Sequence, residues 1–191
     1  MGVYLYLHRD DPGRIADFEE GRRDSWDYFR FDIPDDRQIV ASTPERMNVS
    51  KHTTLDLGLY WDVLLFMLCE PYRNQVSPQA PGIENLHLED PLYWAIAGAH
   101  VAEYDTRQDR SLRYSTVAQI QQIADALSPV TFDTLRPFAD GDAMRRAGIY
   151  RSRSYANSPQ TEETFARILI SLQLHYRNAI EHGQMMIHEW V

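Results

Sequence analysis

Near the middle of the chain Asp62, Asp90 and His100 carry side chains suited to acid–base chemistry, with Trp61 beside Asp62. A carboxylate that holds an imidazole can poise it as a general base. Asp62 and His100 are therefore the candidate catalytic residues, with Trp61 and Asp90 as candidate ligand contacts beside them. Three of them have a plainer reading that weighs more. Trp61 suits a core anchor, Asp62 a polar neighbour on the same helix, and Asp90 the cap of a helix that opens at Pro91. A second set is the basic island Arg145, Arg146, Arg151 and Arg153 around Tyr150, with no acidic residue between Asp142 and Glu162. Such an island can seat a phosphate or a carboxylate, with Tyr150 or Tyr155 stacking on the ligand. The competing reading is a solvated loop whose arginines pair with Asp17, Glu19 and Glu20.

Metal ligation is poorly served. His100 and Glu103 are three apart and could share a helix face. His175 and His182 are seven apart, about 10 Å by helix rise, too far to share one ion. His182 and His188 approach only through a helix-to-strand turn. No metal or cofactor is expected. Cys69 ends an apolar run and reads as a buried, inert thiol rather than a nucleophile. The sequence has no phosphate-binding G-x-x-x-x-G-K-S/T, no G-x-G-x-x-G after a strand and no G-x-S-x-G elbow.

The totals narrow the partners. With 28 acidic against 19 basic residues the net charge is -9, which argues against a nucleic-acid surface. An acidic surface mostly confers solubility; its less common use is to bind a basic protein through complementary charge, and acidic Asp10 to Asp36 suggests that role. Lys51 is the sole lysine, which fits the codon bias of a GC-rich genome better than anion binding at every arginine. A lone cysteine forms no internal disulfide. No apolar run approaches the roughly 20 residues a membrane span needs, and the start Met1-Gly2-Val3-Tyr4 lacks a basic leader. The expected compartment is the cytoplasm, without membrane attachment.

The elements that must position these groups follow from periodicity. An apolar share of 43% with 12% aromatics suits one globular domain over residues 1–191. Val3 to His8 alternates like a strand. Asp11-Pro12 opens a helix to about Arg23. Trp26 to Ile33 is ambiguous, Gln38 to Ser42 suits a short strand, and Thr43 to Thr54 a loop or short helix. Leu55 to Leu68 reads as helix, with Trp61, Leu64, Leu65 and Leu68 on one face, ended by Glu70-Pro71. Tyr72 to Glu89 reads as loop. Asp90-Pro91 opens a short helix that closes near His100, and Thr106 to Arg110 is a polar connector. Ser115 caps a helix bearing Val117, Ile120, Ala124 and Leu127, stopped by Ser128-Pro129. Thr131 to Phe138 and Asp142 to Ala147 are short helices, the second ended by Gly148 in a left-handed cap. Ser158-Pro159 starts a long helix to His182 that buries Phe165, Ile168, Leu169, Leu172, Tyr176 and Ile180. Met185 to Val191 is a terminal strand.

Four stretches resemble the YfbM-like family, a bacterial family without an established biochemical activity. They are Met1-Gly2-Val3-Tyr4; Leu55-Asp56-Leu57 with Trp61 to Phe66; Asp90-Pro91-Leu92 with Ala95, Gly98 and His100; and Ser115 to Tyr150 joined to Tyr176-Arg177-Asn178-Ala179 and Gly183. None is a catalytic signature. The chain departs from the family pattern at Leu65, where His is common, and at Cys69-Glu70, where Thr-Gly is common. The resemblance implies an α/β fold, with mixed α+β as the variant: one compact domain whose helices pack on a small sheet with N- and C-terminal strands. The leading functional expectation is a soluble, non-enzymatic binding module that takes a protein partner or a small anionic ligand. The alternatives are an immunity or antitoxin-like protein that binds a basic toxin, and a small hydrolase or transferase using Asp62 and His100 near the arginines.

Overall fold

Alternation of apolar and polar side chains from Leu5 onward builds the first strand, β1 (Leu5–Asp10), with Leu5 and Leu7 fully buried. The computed structural model describes residues 5–13, 54–77, 86–105, 110–150, 152 and 158–190. The expected elements at Arg14 to Thr53 lie outside these residues. Four further strands follow among the described residues: β2 (Thr54–Gly58), β3 (His100–Asp105), β4 (Arg110–Ser115) and β5 (Met185–Trp190). They form one sheet in the order β2-β1-β5-β4-β3, with every neighbouring pair antiparallel. The fold is therefore α+β.

All six residues of β5 are buried, as a central strand requires. Its register puts Leu5 opposite Trp190, Leu7 opposite His188 and Arg9 opposite Met186. Opposed residues of an antiparallel pair share a face, and Arg113 opposite His188 with Ser115 opposite Met186 continues that face onto β4. Leu5, Leu7, Met186 and Trp190 belong to the core cluster with the helices, so this is the helix-bearing face. Tyr6, His8, Ile187, Glu189, Tyr114 and His100 lie on the other.

Seven α-helices are present among the described residues: α1 (Trp61–Leu68), α2 (Glu70–Gln75), α3 (Pro91–Ala97), α4 (Val117–Leu127), α5 (Phe132–Leu135), α6 (Gly141–Ala147) and α7 (Pro159–Glu181). Every residue of α1 is buried, so an eight-residue helix with little intrinsic stability is held by its surroundings. The long α7 packs on α4, α5 and β2, and α3 packs between α1 and α4. The buried stripe of α7 is Phe165, Leu169, Leu172, Tyr176 and Ala179, with His175 and Ser171 among them.

Three boundaries differ from the sequence expectation. Leu55-Asp56-Leu57 is strand rather than the start of a helix, because Leu55 and Leu57 alternate into the core and Gly58 turns with a φ of 54°. Pro71 starts a helix instead of ending one. It stands in the first turn of α2, where its missing N–H costs no hydrogen bond. The cap of α4 is Thr116, which forms a capping box with Gln119, while Ser115 ends β4. The hairpin β3–β4 has no counterpart among the expected elements.

Candidate functional site

The Trp61-Asp62 pair opens α1. The Trp61 ring meets Trp190 edge to face, with centroids 4.6 Å apart, which fixes the helix start on the end of β5. Asp62 is 5% exposed. Its Oδ1 accepts from the Tyr72 hydroxyl at 2.8 Å, and its Oδ2 accepts from the Tyr150 backbone N–H at 2.6 Å. Burial pushes the carboxyl up to about 6, although both hydrogen bonds favour the charged form. The Tyr72 phenol is driven far above its ordinary range by burial and by the Asp62 charge. Tyr72 is presented by α2, whose cap is Cys69: the Tyr72 N–H donates to the Cys69 sulfur at 3.4 Å. Burial lifts that thiol to about 12, so it is not a nucleophile at neutral pH.

Tyr150 stands in the turn after α6, which ends at Gly148 in the left-handed conformation. Two separately chosen candidates, Asp62 and Tyr150, are thus brought together across 88 residues of sequence. Arg145 pairs with Asp142 one turn back on α6, and Arg146 is exposed on the same helix. Arg151 and Arg153 lie outside the described residues. Asp90 is occupied as the cap of α3, accepting from the Leu92 and Tyr93 N–H groups at 2.8 and 3.0 Å.

His100 sits elsewhere. It opens β3 on the sheet face away from Trp190, exposed, with its Nε2 2.9 Å from the Gln119 amide nitrogen and its ring 5.0 Å from that of Tyr114. Its hydrogen bond and ring contact are not with Asp62, nor are those of Asp62 with it. His100 and Glu103 share a strand rather than a helix face. His175 is buried in α7 while His182 is exposed at its end, bonded to the Asn178 carbonyl. Among the described residues no group of three or more His, Cys, Asp or Glu side chains could hold a metal ion, and no helix is long and apolar enough to cross a membrane.

A family model described as Domain of unknown function (DUF1877) matches residues 1–188. The chain belongs to the DUF1877 family. No curated protein matches it. Its fold is similar to the crystal structure of YfbM, a protein of unknown function from Escherichia coli. The match has a TM-score of 0.64 at 18% identity and covers 98% of this chain and 99% of that one. At that identity the likeness establishes the fold alone. The YfbM-like expectation is met.

In this DUF1877 member the sequence reading missed a polar row buried beneath the helices. A carbonyl only accepts, so the His188 Nδ1–H donates to the Ile96 carbonyl at 3.0 Å, which leaves Nε2 to accept from the Ser115 hydroxyl at 3.5 Å. Burial pushes this imidazole down to about 3, so it stays neutral. Next to it Arg113, 2% exposed, donates to the His87 Nδ1 at 3.2 Å and the Tyr93 hydroxyl at 3.4 Å. His175 is driven well below its ordinary value by burial, then by Arg9 and His8. No periodicity marked this row in advance: β5 is buried along its whole length, and Ser115, Arg113 and His188 come into register only once β4 pairs with β5.

Proposed function

We propose that the protein works as a binding module, and that its contact surface is the turn held by Asp62. The observation that carries this reading is the use of the Asp62 carboxylate. Both oxygens are spent bracing α1, α2 and the turn at Tyr150, so the most perturbed acid candidate acts as a fastener. Around that brace Tyr60 is 47% and Tyr150 36% exposed, with Arg146 exposed on α6. Exposed tyrosine beside arginine is the composition of contact surfaces. A guanidinium there favours a partner that offers a carboxylate or phosphate next to an apolar group. The second reading, a basic protein partner, is supported by the net charge of -9.

Native mass spectrometry of protein purified from its own cells tests both. A retained anionic molecule or protein, lost in a Tyr150→Ala, Arg146→Ala double variant, supports the first reading; a retained basic protein supports the second. A bare chain in every preparation counts against both. Turnover of a metabolite that is lost in Asp62→Asn or His100→Ala would replace them with the hydrolase or transferase reading.

A further inference from the structure

On the sheet face opposite the described helices, three strands bring together a hydroxyl, an imidazole and a carboxylate. Thr54 opens β2, His8 stands opposite it on β1, and Glu189 lies on β5. The Thr54 Oγ1 is 3.0 Å from the His8 Nδ1, and the His8 Nε2 is 3.0 Å from the Glu189 Oε2. The groups come from sequence positions 46 and 181 residues apart, so neighbouring in the chain does not account for the line they form. An ionised carboxylate only accepts, so Nε2 carries the proton and donates it to Glu189. That assigns the tautomer: with the imidazole neutral, Nδ1 is left as an acceptor and the Thr54 hydroxyl donates to it. The order hydroxyl, imidazole, carboxylate is the arrangement by which a side-chain alcohol is made nucleophilic. Access matches the roles. The Glu189 side chain is 7% exposed and the His8 side chain 18%, so the orienting acid is covered while the base reaches the surface. Thr54 is half-buried beside it. The Tyr6 ring lies near-parallel to the His8 ring, with centroids 6.4 Å apart. Asp56, the nearest acid on β2, turns back to accept from the Gly58 N–H at 2.6 Å, which leaves Glu189 as the acid bonded to His8.

We propose that Thr54 is an acyl-acceptor site, modified by esters or thioesters with good leaving groups, with His8 as its base and Glu189 as the positioning residue. In the step, the Thr54 Oγ1 forms a bond to the acyl carbon while its proton passes to the His8 Nδ1. The bond from that carbon to the leaving oxygen or sulfur then breaks, and the leaving group takes the proton from His8. One alcohol or thiol is released for each acyl group gained, and no oxidant or reductant is involved. The site is separate from the Asp62 brace, so either proposal can fail without the other.

The test is incubation of the full chain with p-nitrophenyl acetate, followed by peptide mapping with fragment-ion localisation. The acetyl group is expected on Thr54, resolved from Thr53 and from the sole lysine, Lys51. It should persist on the new hydroxyl in Thr54→Ser and vanish in Thr54→Val. Loss of the base in His8→Gln should slow it on the order of 100-fold, and Glu189→Gln should slow it less. If His8→Gln does not fold, the wild type and the near-isosteric Thr54→Val decide alone. Acetyl found only on Lys51 or Thr53, no acetyl at all, or an unchanged rate in a folded His8→Gln would overturn the proposal and leave the array as a cross-strand tie.

Discussion

The Asp62 carboxylate is the residue whose behaviour is most open to measurement. Its folded-state value of about 6 stands above the ordinary 3.8, so the folded protein holds this proton more tightly than the unfolded chain. The stability it lends is complete below the ordinary value and is lost as pH rises through about 6. The loss is on the order of 3 kcal/mol, from 1.36 kcal/mol for each pKa unit. Asp62→Asn cannot titrate. Urea unfolding of both proteins near pH 4 and near pH 7 should therefore show the wild type losing about that much relative to the variant as pH rises. An unchanged difference would mean that the Tyr72 and Tyr150 hydrogen bonds offset the burial cost in full. Singling out Asp62 was possible from residue type and its place next to Trp61. Its partners were not legible, because a hydrogen bond to the Tyr150 backbone depends on where a distant turn comes to rest.

At the scale of elements, the close approach of α3 to β4 and β5 hangs on Gly98. Its φ of 76° and ψ of 150° are open to glycine and strained for other residues. An added Cβ would lie 2.9 Å from the Arg113 Cβ and 3.1 Å from the His188 ring. Gly183, at the end of α7, also has positive φ, but an added Cβ there meets nothing within 4 Å. Gly183→Ala should cost about 1–2 kcal/mol, the left-handed penalty alone. Gly98→Ala should exceed it by about 1–3 kcal/mol through backbone strain and crowding of His188. Urea midpoints of the two variants compare them directly, and equal costs would show that Arg113 and His188 can move aside. The elements that could be read in advance were the terminal strands β1 and β5 and the helices with a chemical start or stop signal, such as Asp90-Pro91, Ser158-Pro159 and Gly148. The elements that escaped were the short helix α2, in a stretch expected as loop from Tyr72 onward, and the short strands β2, β3 and β4. Leu55 and Leu57 satisfy a period of two over five residues, yet they run straight into the helical spacing of Trp61, Leu64, Leu65 and Leu68, which claimed them. The β3–β4 hairpin lacks a long apolar alternation, and only its pairing with β5 gives it a place.

For the whole molecule, the sheet is organised around β5, which pairs with both β1 and β4. Removing residues 184–191 would unpair both neighbours and strip Trp190 from Trp61. The shortened chain should show no cooperative unfolding transition and no native near-ultraviolet circular dichroism; a cooperative melt would mean that the helices close the core unaided. The acyl-acceptor array was illegible for the same reason. Thr54, His8 and Glu189 carry no spacing that links them, and the order β2-β1-β5 alone makes them neighbours. That order also sets a clock during synthesis. At about 5–20 residues per second, β1 emerges on the order of ten seconds or more before β5. Until β5 arrives, the backbone edges of β1 and then of β4 that it will take have no partner from it, and an unpaired edge is a template for other chains. A slow stretch of translation between β4 and β5 would lengthen that exposure, so yield in the cell should depend on the speed at which the last third of the message is read.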